Sequence, residues 1–269
     1  MENNDGEIYD PKDDYIFKRI FGHKENIFIN FVNSIFSDKN EKMVKSVIFL
    51  NNEITKDIIY GKQGRLDVKA ILDDGEQINI EVQVEPGDDF RKRSLLYWSK
   101  MYGEQIKKNE SYADLKRCIC ISVLDFNLFK GKDKFHTLVK ALDMDDYDCV
   151  FPEFEIHFLE VEKIPNKDYD RMSLLEKWML FLKAPTTNIL EELAMQEPVI
   201  AEAKETLYYL SHNEKERAIY EARKKYELDA RSSLRAKQRE MARNFKDLGT
   251  SIDVIVKATG LSREEVEQL

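Results

Sequence analysis

Residues 65–84, which read R-L-D-V-K-A-I-L-D-D-G-E-Q-I-N-I-E-V-Q-V, leave the chain few ways to fold. Two runs alternate apolar and polar residues with period two, the pattern of a strand with one face in a core. In the first, Leu66, Val68, Ala70 and Leu72 share a face, with Arg65, Asp67 and Lys69 opposite. In the second, Ile78, Ile80, Val82 and Val84 point one way, and Asn79, Glu81 and Gln83 the other. Asp73-Asp74-Gly75 between them is a turn signal, so the stretch reads as a hairpin.

Parity fixes the turn. If both apolar faces enter one core, the loop must hold an odd number of residues. A three-residue loop, with Gly75 in the left-handed region, pairs Leu72 with Glu76. Counting back along that register sets Asp67 opposite Glu81. Directly opposed residues have Cβ atoms roughly 4.5–5.5 Å apart, and like charges there repel. A divalent cation would remove the repulsion and take both carboxylates as oxygen ligands. Gln83 follows Glu81 on the same face. The alternative is a polar face in water, the norm for such strands, and the bare spacing D-x13-E-x-Q is not specific.

D-x13-E-x-Q on a hairpin followed at once by a helix resembles the PD-(D/E)XK nuclease superfamily. In particular it resembles the recombination-promoting nuclease (Rpn) branch, also called PD-(D/E)XK family transposases. Two further stretches share the likeness: Asp14-Tyr15-Ile16-Phe17-Lys18-Arg19-Ile20-Phe21-Gly22, and Arg93-Ser94-Leu95-Leu96-Tyr97-Trp98 after the hairpin. The resemblance covers residues 9–165 and extends more loosely to the end. It implies a metal-dependent DNA endonuclease linked to recombination or transposition. Gln83 stands where lysine is commoner in the superfamily, a departure this branch shares.

Composition sets outer bounds. The chain has 269 residues, enough for one sizeable core and a second small unit. No apolar run approaches the ~20 residues that span a bilayer, and M-E-N-N-D-G-E lacks the basic and apolar regions of a signal peptide. No membrane association and a cytoplasmic location are therefore expected. Cys118, Cys120 and Cys149 lack C-x-x-C spacing, and His23, His136, His157 and His212 form no i, i+4 pair, so no zinc site is indicated. Net charge is −9, which gives no general support to nucleic-acid binding. Any DNA contact must rest on local patches.

Taken in order, Asp13 or Asp14 caps a helix running to about Phe36, with a break at Gly22-His23. Residues 43–50 form a short strand, and 51–63, containing Glu53, lead to the hairpin. Residues 86–89 cap a helix over 90–108 that carries Arg91, Lys92 and Arg93 in its first turn. Residues 118–124 suit a central strand covered on both faces, 126–148 form a connection without clear period, and 154–159 the last strand. The expected fold class is α/β: a restriction-endonuclease-like αβββαβ core with a mixed sheet, followed by an all-helical C-terminal region. Three parts are expected: a nuclease-like domain over 9–165, a helical extension over 166–248, and a small helix-turn-helix-like tail over 249–269.

The extension holds short helices over 173–183 and 187–196 and a long helix from Asn213 to about Leu248. Residues 214–246 carry 11 Lys/Arg and 6 Asp/Glu, a surplus of 11 − 6 = +5. In the tail, Ser262 and Glu265 form a capping box, but Glu264, Glu265 and Glu267 face only Arg263. An acidic second helix is a poor reader of DNA, so packing or dimerisation is favoured there. A homodimer through the helical C-terminal region is the assembly this leaves open.

Phosphodiester hydrolysis needs a water activated at neutral pH and charge stabilisation in the transition state, both of which bound Mg²⁺ supplies, with Mn²⁺ as an alternative. Asp67 and Glu81 are the candidate metal ligands, and the resemblance adds the backbone carbonyl of Val82. Gln83 would orient the attacking water, without the electrostatic help a lysine gives. On that ground Gln83→Lys is expected to retain or raise cleavage. Glu53 is the candidate additional acid, with Asp14 next. Arg93 and Tyr97, one helical turn apart, and Lys18 of the first motif are candidate DNA contacts. Two other classes stay open: an inactive relative acting as a DNA- or protein-binding accessory, and a carboxylate-pair hydrolase such as a glycosidase. The second is weaker, because the paired acids are too close for an intervening inverting water.

Overall fold

A computed structural model of the chain describes residues 8–50, 68–87, 89–107, 110–183 and 186–269. Helices α1 (Asp14–Phe21) and α2 (Glu25–Asp38) are followed by strands β1 (Val47–Leu50), β2 (Val68–Leu72) and β3 (Gln77–Gln83). Helix α3 (Phe90–Gly103) leads into β4 (Cys118–Leu124), β5 (His136–Leu142) and β6 (Cys149–Glu160). Helices α4 (Leu174–Leu182), α5 (Thr187–Gln196), α6 (Pro198–His212), α7 (Glu214–Asp247), α8 (Ile252–Thr259) and α9 (Arg263–Glu267) complete the chain. The described residues form two compact units, 8–216 and 217–269.

One mixed sheet runs β1-β2-β3-β4-β6-β5. Its β3–β4 and β4–β6 pairs are parallel and the others antiparallel. Parallel pairing of β3 with β4 is possible because α3 carries the chain back to the same edge. The expected αβββαβ order holds, with one addition. The connection expected over 126–148 contains β5, which pairs antiparallel with β6. Its sequence H-T-L-V-K-A-L hides the signal, because Thr137 and Val139 on one face alternate with polar and apolar residues alike.

The hairpin forms as parity requires. Leu72 N–H donates to the Glu76 carbonyl at 2.9 Å, Gly75 takes φ +81°, and the ladder runs from Ile71↔Gln77 to Val68↔Ile80. What the pattern did not give is the burial of the other face. Asn79, Glu81 and Gln83 are buried rather than facing water. β3 lies inside the sheet, and its polar face shares a layer with Cys118, Cys120, Ile156 and Phe158 through the registers of β4 and β6. Phe90 and Met101 of α3 pack on that layer.

The opposite face meets the N-terminal helices. Phe28 of α2 stacks edge-on to Phe49 of β1 at 5.2 Å, and Phe36 lies 6.0 Å from the His157 ring. Gly22 ends α1 where space is short: a Cβ there would stand 2.7 Å from the Lys18 carbonyl oxygen and 3.5 Å from Val68 Cγ2. Asp13 caps α1 by accepting from Tyr15 and Ile16 N–H groups. α4 then closes over α1 and α2. Its Trp178 is fully buried 5.5 Å from Phe21 and 5.8 Å from Phe31, and its indole N–H donates to Asn30 Oδ1 at 2.8 Å.

In the second unit, Ile255, Leu261 and Val266 of the tail bury against Ala242 of α7. Ser262 and Glu265 form the expected capping box, and the Glu265 carboxylate accepts from Arg235. The acidity of α9 is thus taken up by α7 within this unit.

Removing the Trp178 ring should cost about 3–5 kcal/mol, since it leaves a large cavity and strips Asn30 of its donor. Urea unfolding of Trp178→Ala should show that loss at unchanged slope, and a loss below about 1 kcal/mol would mean that α4 is not part of this core.

Candidate active site

The carboxyl ends of β3, β4 and β6 lie side by side, with Gln83 paired to Leu124 and Leu124 to Glu160. Ligands of α/β sheets gather at such an edge. On the face under α3, two residues of β3 stand in sequence: Glu81 is 3% exposed and Gln83 1%. Ser122 of β4 sits beside Glu81, its Oγ 3.5 Å from Glu81 Oε1. Burying a carboxylate and an amide costs several kcal/mol unless partners hold them, so their presence here needs a reason.

Part of that reason is α3. The first-turn cations of this helix behave separately. Arg91 and Lys92 face solvent, with Lys92 paired to Asp89 at 2.7 Å. Arg93 turns inward, stacks its guanidinium 4.9 Å over the Phe90 ring and donates through Nη2 to Gln83 Oε1. Gln83 Nε2 in turn donates to the Val82 carbonyl at 2.7 Å. Both ends of the amide are therefore engaged and its orientation is set. A carbonyl can accept two bonds, so Gln83 alone does not fill the Val82 oxygen. Arg93 Nε is buried without a hydrogen-bond partner among the described residues.

This arrangement changes one expectation. Gln83 is neutral, but a cation sits directly on it. A lysine at 83 would meet the guanidinium head-on.

The structure brings Glu81, Val82, Gln83 and Arg93 together. Tyr97 follows one turn along α3 and is half-buried. Lys18 is buried on α1, in the turn that lies over Val68, whose side chain is on the sheet face away from Glu81. Asp14 lies in the first turn of α1 and is half-buried. Asp67 and Glu53 lie outside the described residues. Among the described residues no three His, Cys, Asp or Glu side chains converge on one point. Glu81 and the Val82 carbonyl are hard oxygen donors, the chemistry that Mg²⁺ and Mn²⁺ take.

Sequence reasoning passed over Asp125. Its N–H donates to the Gln83 carbonyl at 2.9 Å, and its carboxyl lies 3.6 Å from the buried Lys12 Nζ. Burial pushes the Asp125 carboxyl up, and Lys12 opposes this. Lys12 also donates to the Leu182 carbonyl at 3.1 Å. No period or motif marks either residue, because each acts through a partner distant in sequence.

A family model, PD-(D/E)XK nuclease family transposase, matches residues 11–237, and the chain belongs to that family. No curated protein and no solved structure matches it. The match takes in the hairpin, α3 and the first motif, and with them every residue placed above.

Because Arg93 occupies the position beside residue 83, Gln83→Lys alone should lose stability on the order of 2–4 kcal/mol through two cations a few ångströms apart. Adding Arg93→Gln should recover most of it. Melting temperatures of the two single variants and the double variant, read as a mutant cycle, test the pairing, and additive effects would show that the two side chains do not meet.

Proposed function

We propose that the chain is a metal-dependent DNA endonuclease that hydrolyses phosphodiester bonds in recombination or transposition. The observation that carries the reading is the Glu81–Gln83–Arg93 group. A buried carboxylate, an amide fixed at both ends and a guanidinium that spends one donor on that amide are set at the carboxyl edge of a central strand. Phosphoryl transfer calls for groups of this kind: a carboxylate for a metal, a polar group to position water and a cation for the phosphate. Family membership points the same way.

In this reading Glu81, Asp67 and the Val82 carbonyl hold Mg²⁺, or Mn²⁺ in its place. When bound, the ion supplies a water of lowered pKa and neutralises charge on the scissile phosphate. The protein's own groups do the rest. Gln83, held by Arg93 and the Val82 carbonyl, positions the attacking water. Arg93 offers the guanidinium donors it does not spend on Gln83 to a non-bridging phosphate oxygen, and a charge-assisted bond there strengthens as negative charge grows. Tyr97 and Lys18 are assigned to neighbouring parts of the DNA, and Glu53 to an additional acid.

All of these residues fall within 9–165, the proposed catalytic domain. Segments 166–248 and 249–269 are assigned to support and to assembly as a homodimer. No described helix is long and apolar enough to cross a membrane, and a cytoplasmic location fits a DNA substrate.

Glu81→Gln and Asp67→Asn should each lower plasmid nicking by at least about a hundredfold, as loss of a metal ligand does, and EDTA should do the same to the parent. Added Mg²⁺ should raise the melting temperature of the parent and leave both variants unmoved. Parental nicking rates in either variant would overturn the assignment.

A further inference from the structure

With a net charge of −9, this chain repels DNA on average, so a nuclease built on it needs a local surface that does not. Residues 126–134, F-N-L-F-K-G-K-D-K, leave the carboxyl end of β4 at the same edge as the candidate site. Lys130, Lys132 and Lys134 are exposed, and no carboxylate among the described residues pairs with them. Against three lysines stands one acid, Asp133.

The segment is held in place at several points. Glu160, at the end of β6, is fully buried, and its Oε1 accepts from the Phe129 N–H at 3.0 Å and forms an ion pair with Lys163 Nζ at 2.9 Å. Lys163 Nζ also donates to the Phe129 carbonyl at 2.8 Å. The Phe129 ring packs 5.3 Å from Phe158, and Lys132 lies over its other side with Nζ 5.3 Å from the centroid. Gly131 takes φ +77°, which lets the chain turn between the first two lysines. A buried carboxylate spent on anchoring a surface loop is costly unless the position of that loop matters.

Its position is tied to the site. Asp125, where the segment starts, donates to the Gln83 carbonyl. Phe126 stacks edge-on to Phe90 at 6.1 Å, and Phe90 is the ring that carries the Arg93 guanidinium. The lysine segment and the basic first turn of α3 therefore grow from one root. Glu160 stands two strands from Gln83, or about 10 Å at the usual strand spacing. Between the segment and the turn after β6 lies an open cleft of about 510 Å³, lined by Lys130, Gly131, Lys132 and Lys163. Asp133 and Glu162 also line it and Lys134 does not, so the attraction rests on the exposed lysines of the segment and not on the wall of the cleft.

We propose that Lys130, Lys132 and Lys134 bind the phosphate backbone of the DNA substrate to one side of the scissile phosphate, with the Glu160–Lys163 pair fixing the segment that presents them. The proposal rests on the nuclease reading and adds the surface that gives that site its affinity for a polyanion.

The test compares two triple variants of the full chain with equal change in charge. One is Lys130→Gln, Lys132→Gln and Lys134→Gln. The other, Lys45→Gln, Lys107→Gln and Lys116→Gln, neutralises lysines that precede β1 and β4, at the opposite edge of the sheet. Binding of a fluorescent duplex DNA is followed by anisotropy in EDTA over a range of NaCl concentrations. Each phosphate that the protein no longer neutralises should reduce the slope of log K against log salt by about 0.9, so the loop variant should lose about 2–3 in slope and at least tenfold in affinity at low salt. The control should stay within about twofold of the parent at the same salt. Equal losses in the two variants would reduce the effect to net charge and overturn the proposal, as would a parental slope in the loop variant. If the parent binds and nicks DNA while the loop variant behaves like it, this proposal falls and the nuclease reading stands. If the parent binds no DNA at any salt, both fall. Unchanged melting curves show that neither variant has lost its fold.

Discussion

Everything at the candidate site depends on α3 lying across the polar face of β3. Without that cover, Asn79, Glu81 and Gln83 would be ordinary wet positions on a strand, and electrostatic interactions among them would be weak. With it, Glu81 and Gln83 are buried beside Ser122 and Leu124 of β4, where a charge acts more strongly than it would in water. The same helix that removes the water brings Arg93 to Gln83, so desolvation and compensation come from one element. The parallel pairing of β3 with β4 makes this possible, since it forces the chain to cross a sheet face between them. The site is therefore a consequence of topology as much as of motif.

The two faces of the sheet also show how buried polarity can serve different ends. Opposite α3, Asp38 accepts from His136 at 2.7 Å, His136 meets His157 at 2.8 Å, and His157 meets Glu155 at 2.6 Å. Glu155 then lies 3.4 Å from Arg117 and 3.3 Å from Lys140, and both of these also pair with Glu41. Each charge in that row meets an opposite charge. The row joins α2 to β5 and β6 and to the residue that leads into β4, and so ties the sheet to the helical layer. A network of paired charges of this kind specifies one packing of helix against sheet. At the other face, Arg93 makes one charge-assisted bond to Gln83 and keeps a buried Nε–H with no acceptor among the described residues.

Much of this was legible before any coordinates, for local reasons. The hairpin register followed from parity and one glycine, both readable within a dozen residues, and the structure reproduces it pair for pair from Val68↔Ile80 to Ile71↔Gln77. The break at Gly22-His23, the Asn213 cap and the Ser262–Glu265 box are likewise short-range chemistry. Burial of the polar face of β3 was not legible, because alternation reports that two faces differ and not that the polar one is wet. The link between Arg93 and Gln83 spans ten residues and a strand-to-helix turn, and no periodicity encodes it. β5 was missed because its apolar residues are shared between both faces, as suits an edge strand whose partner β6 is itself half-exposed.

The departure at position 83 can then be understood as a rearrangement of charge and not as its loss. A strand lysine places its ammonium at the end of a flexible four-carbon stem, and burial readily lowers its pKa. An arginine on the facing helix keeps its charge at any relevant pH. Its planar fork can serve the strand amide and a phosphate together. The Phe90 ring under the guanidinium limits its swing, and the root that Phe90 shares with Phe126 ties this cation to the lysine segment beyond β4. In the proposed reading, an acidic chain places fixed positive charge at the edge of the sheet where DNA would meet it. Other cations are held in ion pairs, such as Lys24 with Glu202 and Lys177 with Glu197, where the opposite charge offsets their contribution to the field.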